Sequence, residues 1–574
     1  MENRIIEKAR EWLEPSFDEQ TRNEVIRLME EDPAMLEDSF YRNLEFGTGG
    51  LRGVMGVGTN RMNRYTVGMV TQGLAEFVKK NEAGPYKAAI AYDCRNQSPE
   101  FARITAEVLA ANDFTVYLYD TLRPTPQLSF TVRQHKCNIG VMITASHNPK
   151  EYNGYKVYGN DGAQVVAPQD LMIIEEVQKI TTPSMVKFSG GKGKIVMLGE
   201  ELDTQYLDRI LSLISLSPEA IEAFRDMKMV YTPLHGTGVY LVPKALEKMG
   251  FTHVFHVPEQ DLTDGNFPTV VSPNPEDPAA LKLAIEKAEQ TGAQLVMATD
   301  PDADRVGIAV RNPAGQIELL NGNQTAALLT YYLLEKWNES KRLKGNEYIV
   351  KTIVTSDLLK SIADHYGVAC YNVLTGFKYI AEVIRNNEGR KVFICGGEES
   401  YGFNVGQYVR DKDAVVTCAL AAEVACWAAS KGKTLYELMR EVYLRFGFFK
   451  ERMVSITLKG KDGMEQISAI MNRYREDPPS RLLGSEVVLF HDYKKRETVD
   501  LVSDLRYEIN LPGSDVLQFV CADNTIVTIR PSGTEPKIKY YYGVRTEMPS
   551  EDLFEQISLT LDEKLNALNE LFQK

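Results

Sequence analysis

Thr144-Ala145-Ser146-His147-Asn148-Pro149 follows the apolar run Ile139-Gly140-Val141-Met142-Ile143 and opens onto the turn-rich Lys150-Glu151-Tyr152-Asn153-Gly154. A short β-type run that ends in a polar loop predicts a buried strand with a hydroxyl at its carboxyl end. In α/β sheets that is where chemistry is usually placed. The same arrangement recurs on both sides of this stretch. Upstream, the strand Ala88-Ala89-Ile90-Ala91-Tyr92, a helix from Pro99 to Asn112 and the strand Thr115-Val116-Tyr117-Leu118-Tyr119 lead into it. Downstream, Met229-Val230-Tyr231, the turn Thr232-Pro233-Leu234-His235-Gly236-Thr237-Gly238, a helix to Met249 and Gln294-Leu295-Val296-Met297-Ala298 end on Thr299-Asp300-Pro301-Asp302-Ala303-Asp304-Arg305. A third unit includes Glu347-Tyr348-Ile349-Val350 and Lys391-Val392-Phe393-Ile394-Cys395, followed by Gly396-Gly397-Glu398-Glu399-Ser400. Alternation of this kind implies α/β layers.

The two ends differ from this middle. Residues 1 to about 45 read as two amphipathic helices broken at Pro15, carrying Ile5, Ile6, Ala9 and Trp12, then Val25, Ile26, Leu28 and Met29. From Met453 the chain turns strand-rich, places Arg530-Pro531-Ser532-Gly533-Thr534 after an apolar run, and closes on a helix with Leu553, Ile557, Leu561, Leu565 and Leu568. A chain of 574 residues exceeds what one core serves. The expected division is 1–205, 206–322 and 323–450 for three α/β domains and 451–574 for a C-terminal α+β domain.

Composition narrows the function classes. Hydrophobic content of 44% with 25% charged residues is ordinary for a globular protein. Met1-Glu2-Asn3-Arg4 leads into a charged segment rather than a signal sequence, and seven scattered cysteines without a Cys-x-x-Cys pair predict reduced thiols. A cytoplasmic protein is expected. The longest apolar tract, 414–429, is interrupted by Glu423 and predicts a buried helix rather than a membrane span. A formal net charge of −14 opposes nonspecific nucleic-acid and anionic-membrane binding. An anionic substrate must therefore be caught by particular Arg and Lys residues.

Four loops offer chemistry. Ser146 is a weak nucleophile unless a base, a cation and anion-binding donors surround it. Asp300, Asp302 and Asp304 alternate after an apolar strand, and three close carboxylates call for a hard divalent cation such as Mg²⁺. An EF-hand is excluded, since Arg305 and Arg311 stand where that loop needs Gly and Glu. An aspartyl phosphatase also begins with a strand and an Asp-x-Asp pair, but it leaves Ser146 without a role. Arg530, Ser532, Gly533 and Thr534 suit a phosphate that is held without being attacked. Glu398 and Ser400 offer hydrogen-bonding partners to sugar hydroxyls.

Three weaker patterns are set aside or reassigned. Phe46-Gly47-Thr48-Gly49-Gly50-Leu51-Arg52-Gly53 lacks the third glycine of a dinucleotide fingerprint and instead offers Arg52 and backbone N–H groups to a phosphate. His253 and His256 face opposite sides of a strand, and Gly432-Lys433-Thr434 lacks the first glycine of a P-loop.

Taken in order, Thr144-Ala145-Ser146-His147-Asn148-Pro149, Asp300-Pro301-Asp302-Ala303-Asp304-Arg305, Gly397-Glu398-Glu399-Ser400 and Arg530-Pro531-Ser532-Gly533-Thr534 resemble the α-D-phosphohexomutase superfamily. The resemblance covers about residues 46 to 545. It implies four domains around a central cleft, three related α/β mixed-sheet domains plus the α+β domain. It further implies that Ser146 is a phosphoserine and that Mg²⁺ is held by Ser146, Asp300, Asp302 and Asp304. Arg52, His147, Lys156 and Arg305 would act at the reacting phosphoryl group, with Lys156 assisting proton transfer. Glu398 and Ser400 would take sugar hydroxyls; Arg530, Ser532, Gly533 and Thr534, with Lys378 and Arg410, would hold the other phosphate. The implied activity is interconversion of hexose 1- and 6-phosphates through a 1,6-bisphosphate. Glu398-Glu399-Ser400-Tyr401-Gly402 resembles the loop of the glucose-specific branch, so glucose phosphate and glucose 1,6-bisphosphate are expected. Pentose and mannose phosphates are the alternatives, and a non-catalytic sugar-phosphate-binding protein is a more distant one. Partners are then small-molecule sugar phosphates, without nucleic acid or membrane, and the protein is a monomer or homodimer.

Overall fold

The computed structural model describes residues 2–47, 50–458, 461–532 and 537–573. Among the described residues four sheets form, of seven, five, four and eight strands. The chain divides into two compact units. The first reaches to Asn321 and takes in Phe377–Cys395 and Ser400–Gly432; the second holds Gly322–Gly376, Gly396–Glu399 and Lys433–Lys574.

In the first unit the strand Ile139–Ile143 is buried along its whole length and lies in the middle of the seven-stranded sheet. Its apolar run is what a strand covered on both faces requires. It pairs in parallel with Lys87–Tyr92 and antiparallel with Tyr152–Tyr158, which in turn pairs antiparallel with Gly50–Val54. This mixed order brings the loop after Ile143, the Arg52 strand and the Lys156 strand to neighbouring positions. The five-stranded sheet repeats the scheme, with Leu295–Thr299 parallel to Met229–Thr232 and antiparallel to Val306–Arg311. The Asp300 loop is thus the hairpin between two buried strands.

Helix Ala414–Ser430 accounts for the long apolar tract. It is buried almost throughout and N-capped by Asp413, whose carboxylate accepts N–H bonds from Val415 and Val416. Its interrupting Glu423, itself buried, accepts the backbone N–H groups of Ser215 and Leu216 at 2.5 and 2.6 Å, so the buried charge is hydrogen-bonded. Among the described residues no single helix is long and apolar enough to cross a membrane. All seven cysteines are free thiols.

In the second unit Glu347–Thr352 pairs in parallel with Ala369–Val373. The strand-rich C-terminal region forms an antiparallel sheet in which Phe448–Thr457 pairs with Lys537–Thr546 and Ile526–Pro531 pairs with Lys537–Thr546 on its other side. Helix Phe554–Phe572 closes it through Leu561, Leu565, Leu568 and Phe572, whereas Leu553 lies just outside the helix and is exposed.

The N-terminal segment forms three helices rather than two: Glu2–Glu11, Glu19–Glu31 and Pro33–Phe40. The added break is at Asp32-Pro33. Asp32 caps the third helix and Pro33 occupies its first turn, where a missing N–H costs nothing. The expected division at 205/206 falls inside helix Glu200–Leu211, whose acidic first turn disguises a buried face of Leu202, Tyr206, Leu207 and Ile210. Those at 322/323 and 450/451 fall inside helix Gly322–Glu339 and strand Phe448–Thr457.

The N-terminal helices share a core with Tyr65, around Trp12, Phe17, Val25 and Phe40. Asp18 fastens this core: its carboxylate caps the second helix at Thr21 N–H (2.8 Å) and accepts the Tyr65 hydroxyl at 2.7 Å. Burial would raise the Asp18 carboxyl, but the Thr21 N–H, the Tyr65 and Thr21 hydroxyls and Arg64 outweigh it and hold the group below its ordinary 3.8. A carboxyl lowered in the folded state contributes stability above its unfolded pKa and loses it as pH falls through the folded one. Asp18→Asn keeps a cap acceptor but loses the charge that holds the Tyr65 hydroxyl and Arg64, and is therefore expected to raise local opening of the first 40 residues about fivefold at pH 7, for an interaction worth ~1 kcal/mol. The difference from wild type should fade below about pH 4, as followed by limited proteolysis across pH.

Candidate functional site

The site lies within the first unit. Ser146 is buried and takes the left-handed region at φ 50°, a conformation that Ala303 at 48° and Tyr401 at 67° share. Each of three polar loops thus carries one non-glycine residue in a conformation that costs of order 1–3 kcal/mol and persists only where its surroundings impose it. For Ser146 the surroundings are visible. Its N–H donates to Thr144 Oγ1 at 2.8 Å, and Arg95, itself buried, donates to the Ser146, Asn148, Pro149 and Tyr152 carbonyls. Arg95 pairs in turn with buried Asp93 at 3.4 Å. Gly154 allows the Lys156 strand to pass close by, because a Cβ there would lie 2.5 Å from the Thr144 carbonyl oxygen.

So held, the Ser146 hydroxyl donates to Asp300 Oδ2 at 2.8 Å and lies 3.1 Å from His147 Nδ1. Asp300, Asp302 and Asp304 are all buried, and one carboxylate oxygen from each lies within 4.8 Å of the others. Burial, then the like charges of Asp302 and Asp304, push the Asp300 carboxyl well above the usual range. Asp302 moves the opposite way. Burial would raise it, but Lys156 and hydrogen bonds from Lys156, Asp300 and Thr125 hold it far below. Lys156 Nζ stands 2.8 Å from Asp302 Oδ2 and 3.6 Å from Asp304 Oδ2, and Lys412 Nζ is 3.1 Å from Asp304 Oδ2. Burial would lower the Lys156 ammonium, but Asp302 and Asp304 reverse the sign and raise it.

The donor set fits a hard cation. Asp302 Oδ1 and Asp304 Oδ1 are buried with no hydrogen-bond partner among the described residues, and all the converging ligand atoms are oxygens. Asp300, Asp302, Asp304 and the adjacent Ser146 oxygen could hold such an ion.

Positive charge flanks the serine. Arg52 donates to Asn148 Oδ1 at 3.0 Å, and Arg305 donates to Glu276 Oε1 at 2.5 Å. Burial, followed by the Arg305 and Arg52 charges, drives His147 well below its ordinary pKa and keeps the imidazole neutral. Tyr401 and Gly402 reach this loop: the Val306 N–H donates to the Tyr401 carbonyl at 3.0 Å and Gly402 bridges Arg305. Ser400 therefore stands one residue before a segment bound to the carboxylate loop.

The remaining expected residues have contacts of their own. Arg410 is buried, with its guanidinium 2.9 Å from Glu388 and donating to the Gln407 carbonyl at 2.7 Å. Lys378 lies over the Tyr379 ring at 5.3 Å, and burial lowers its pKa. In the second unit Glu398 accepts the Gly376 N–H at 3.1 Å, while neighbouring Glu399 accepts the Thr352 and Thr355 hydroxyls. Arg530 ends the strand Ile526–Pro531, and the Ser532 N–H donates to the Lys537 carbonyl at 2.7 Å. Gly533 and Thr534 lie outside the described residues.

Arg95, Lys412, Thr125, Ser272 and Glu276 were not picked out by motif. Arg95 had a usable signal, since Asp93-Cys94-Arg95-Asn96 follows the strand Lys87–Tyr92 just as Ser146 follows its own.

Arg95→Ala is expected to cost about 3–5 kcal/mol by leaving the Asp93 carboxyl buried without its cation. Arg95→Lys keeps the charge but loses the fork, and should fall between the two in urea unfolding. If Arg95→Ala unfolds like wild type, Arg95 does not support the serine loop.

Comparison with known proteins agrees with this geometry. Residues 43–184, 204–315 and 321–446 match the families described as phosphoglucomutase/phosphomannomutase alpha/beta/alpha domains I, II and III. A phosphoglucomutase of Staphylococcus aureus (strain USA300) is 39% identical over 511 residues, covering 88% of this chain and 91% of its own. One from Staphylococcus haemolyticus (strain JCSC1435) is 36% identical over 526 residues, with coverages of 91% and 93%. In fold, a putative phosphomannomutase from Thermus thermophilus gives a TM-score of 0.67 at 22% identity, covering 90% of this chain and 99% of that one. The open form of pp63/parafusin, a phosphoglucomutase from Paramecium, also gives 0.67, at 18% identity with coverages of 92% and 96%. With three consecutive domain matches and relatives of this identity aligned over nearly their whole length, the chain belongs to the phosphoglucomutase/phosphomannomutase family.

Proposed function

We propose that the protein is a phosphoglucomutase that interconverts glucose 1-phosphate and glucose 6-phosphate through a phosphorylated Ser146 and glucose 1,6-bisphosphate. The observation that carries this reading is the Ser146 hydroxyl 2.8 Å from Asp300, beside two further carboxylates with unpartnered buried oxygens. The activity named for the relatives at 39% and 36% identity supports glucose as the sugar. Mg²⁺ is the proposed ion, held by Asp300, Asp302, Asp304 and Ser146; when bound it would offset charge on the transferring phosphoryl group.

The protein's own groups supply the rest. Ser146 carries the phosphoryl group; its P–Oγ bond breaks as a P–O bond forms to a sugar hydroxyl, whose proton passes to Lys156, while the departing Ser146 oxygen takes up a proton to regenerate the hydroxyl that bonds Asp300. Lys156 can accept that proton only once Asp302 and Asp304 no longer hold it as an ammonium. Arg52, Arg305 and neutral His147 surround the transferring group with N–H donors. The bisphosphate then turns over and its other phosphate returns to Ser146. Glu398 and Ser400 are proposed to bind sugar hydroxyls, and Arg530, Ser532, Gly533 and Thr534 with Lys378 and Arg410 the phosphate that does not react. Four domains, divided at 205/206, 322/323 and 450/451, a cytoplasmic location and a monomeric or homodimeric state belong to the same proposal.

The decisive assay compares glucose, mannose and ribose 1-phosphates with wild type and Ser146→Ala, in Mg²⁺ with a trace of bisphosphate. Glucose phosphate should isomerise fastest without net phosphate release, and the variant should lose at least about a thousandfold. Phosphate release that survives the substitution would identify a phosphatase, and no turnover by folded, Mg²⁺-loaded protein would identify a binding protein. Chelation should abolish isomerisation, and added Mg²⁺ restore it.

A further inference from the structure

Residues 262–276 follow the short helix Pro258–Asp261 and contain no helix or strand of their own. Their contacts nonetheless converge on the loops that hold Ser146 and Arg305. Asn96 Nδ2 donates to Asn266 Oδ1 at 3.0 Å. Phe267, buried and at φ 49°, lies under the Arg95 guanidinium with 5.1 Å to the ring centroid. Ser272 Oγ donates to the His147 carbonyl at 3.0 Å, and Glu276 receives the Arg305 guanidinium. The approach is close: a Cβ on Gly265 would lie 2.3 Å from the Asn96 nitrogen.

The start of this segment is tied down by His235, from the turn Pro233-Leu234-His235-Gly236, for which the proposed chemistry has no use. Leu234 and His235 both take the left-handed conformation, at φ 46° and 67°. This turns the imidazole inward, where it is fully buried, with Nδ1 2.7 Å from the Leu262 carbonyl and Nε2 2.9 Å from Thr269 Oγ1. A carbonyl only accepts, so Nδ1 carries the proton and Nε2 accepts from Thr269. Thr269 in turn accepts from Gln260 Nε2 at 3.1 Å, and Gln260 Oε1 accepts from Thr232 at 2.6 Å. The His235, Thr269, Gln260 and Thr232 side chains are thus linked in one hydrogen-bond relay, which makes it rigid. The same turn is fixed to the carboxylate loop, since the Thr237 N–H donates to the Pro301 carbonyl at 2.9 Å.

We propose that residues 262–276 form a positioning strap, anchored by His235, that sets the Ser146 loop and the Arg305 guanidinium in register with the carboxylate loop. Ser272 and Glu276 are its positioning residues. None of these side chains is placed on the substrate or the cation; they act through His147, Arg95 and Arg305. The role in turnover rests on the mutase reading, whereas the strap's hold on the serine loop does not.

The test uses Ser272→Ala, Glu276→Gln, Glu276→Asp and His235→Ala in the full chain, each with kcat, KM and melting midpoint measured. Small displacements of a reacting group are costly, so Ser272→Ala and Glu276→Gln should each lower kcat about tenfold or more, with KM changed far less. Melting should be unaltered for these two, and Glu276→Asp should recover part of the loss. Because His235 and Ser272 act through one strap, the double variant should lose little more than the worse single one. Independent of activity, amide hydrogen exchange of residues 144–148 should quicken in Ser272→Ala and His235→Ala. Additive losses in the double variant, losses confined to KM, or unchanged exchange in residues 144–148 would each overturn the strap. A wild type that fails to isomerise any sugar phosphate would instead overturn the mutase reading, and the exchange experiment would still decide the strap.

Discussion

Three carboxylates withdrawn from water within 4.8 Å of one another are the constraint that the first unit is built to satisfy. Each isolated buried charge would be severely penalised, and their mutual repulsion adds to that. Lys156 comes from the seven-stranded sheet, Lys412 from the loop before helix Ala414–Ser430, and Thr125 from the start of a helix in the first sheet's layer. Arg305 follows directly in the chain. The carboxylate loop thereby fixes the spacing of elements far apart in sequence, and Ser146 joins them through one hydrogen bond to Asp300.

The serine loop faces a different problem. Its strand ends in a conformation that few residues adopt, and its carbonyls point inward. Arg95 is suited to this because a guanidinium presents several donors in a fixed plane, where a lysine would offer a single movable centre. The cost is a buried cation, which Asp93 offsets. Burial pushes the Asp93 carboxyl up even against Arg95, so the pair is held by enclosure as well as by charge. Phe267 closes the remaining side of the guanidinium.

Much of this was legible in the sequence, and the reasons are specific. The strand Ile139–Ile143 announced itself because a doubly covered strand needs an unbroken apolar run, and the α/β class followed from its repetition. The carboxylates were legible because alternating Asp residues after such a strand have few other physical explanations. The third N-terminal helix was not, since Val25 to Phe40 keeps a helical period across Asp32-Pro33 and only the cap chemistry marks the break. Ser272, Glu276 and Lys412 were illegible for another reason. Each matters through one contact with a residue distant in sequence, and a single polar side chain in a loop looks the same whether or not it has such a partner. Arg410 entered only through the resemblance, without a motif of its own, and the structure pairs it with Glu388 and the Gln407 carbonyl.

Lys412 and the Ala414 N–H, which bonds the Ala303 carbonyl, bear on how the protein is made. The carboxylate loop is complete once Asp304 leaves the ribosome, but Lys412 lies 412 − 304 = 108 residues later. At bacterial-to-eukaryotic elongation rates that is roughly 5–20 s of synthesis. Through this interval the nascent chain contains Lys156 and Arg305 but neither Lys412 nor the helix whose first N–H bonds the Ala303 carbonyl. The acidic cluster is therefore hydrated while it is young, and its withdrawal from water is among the last events in the birth of the first unit.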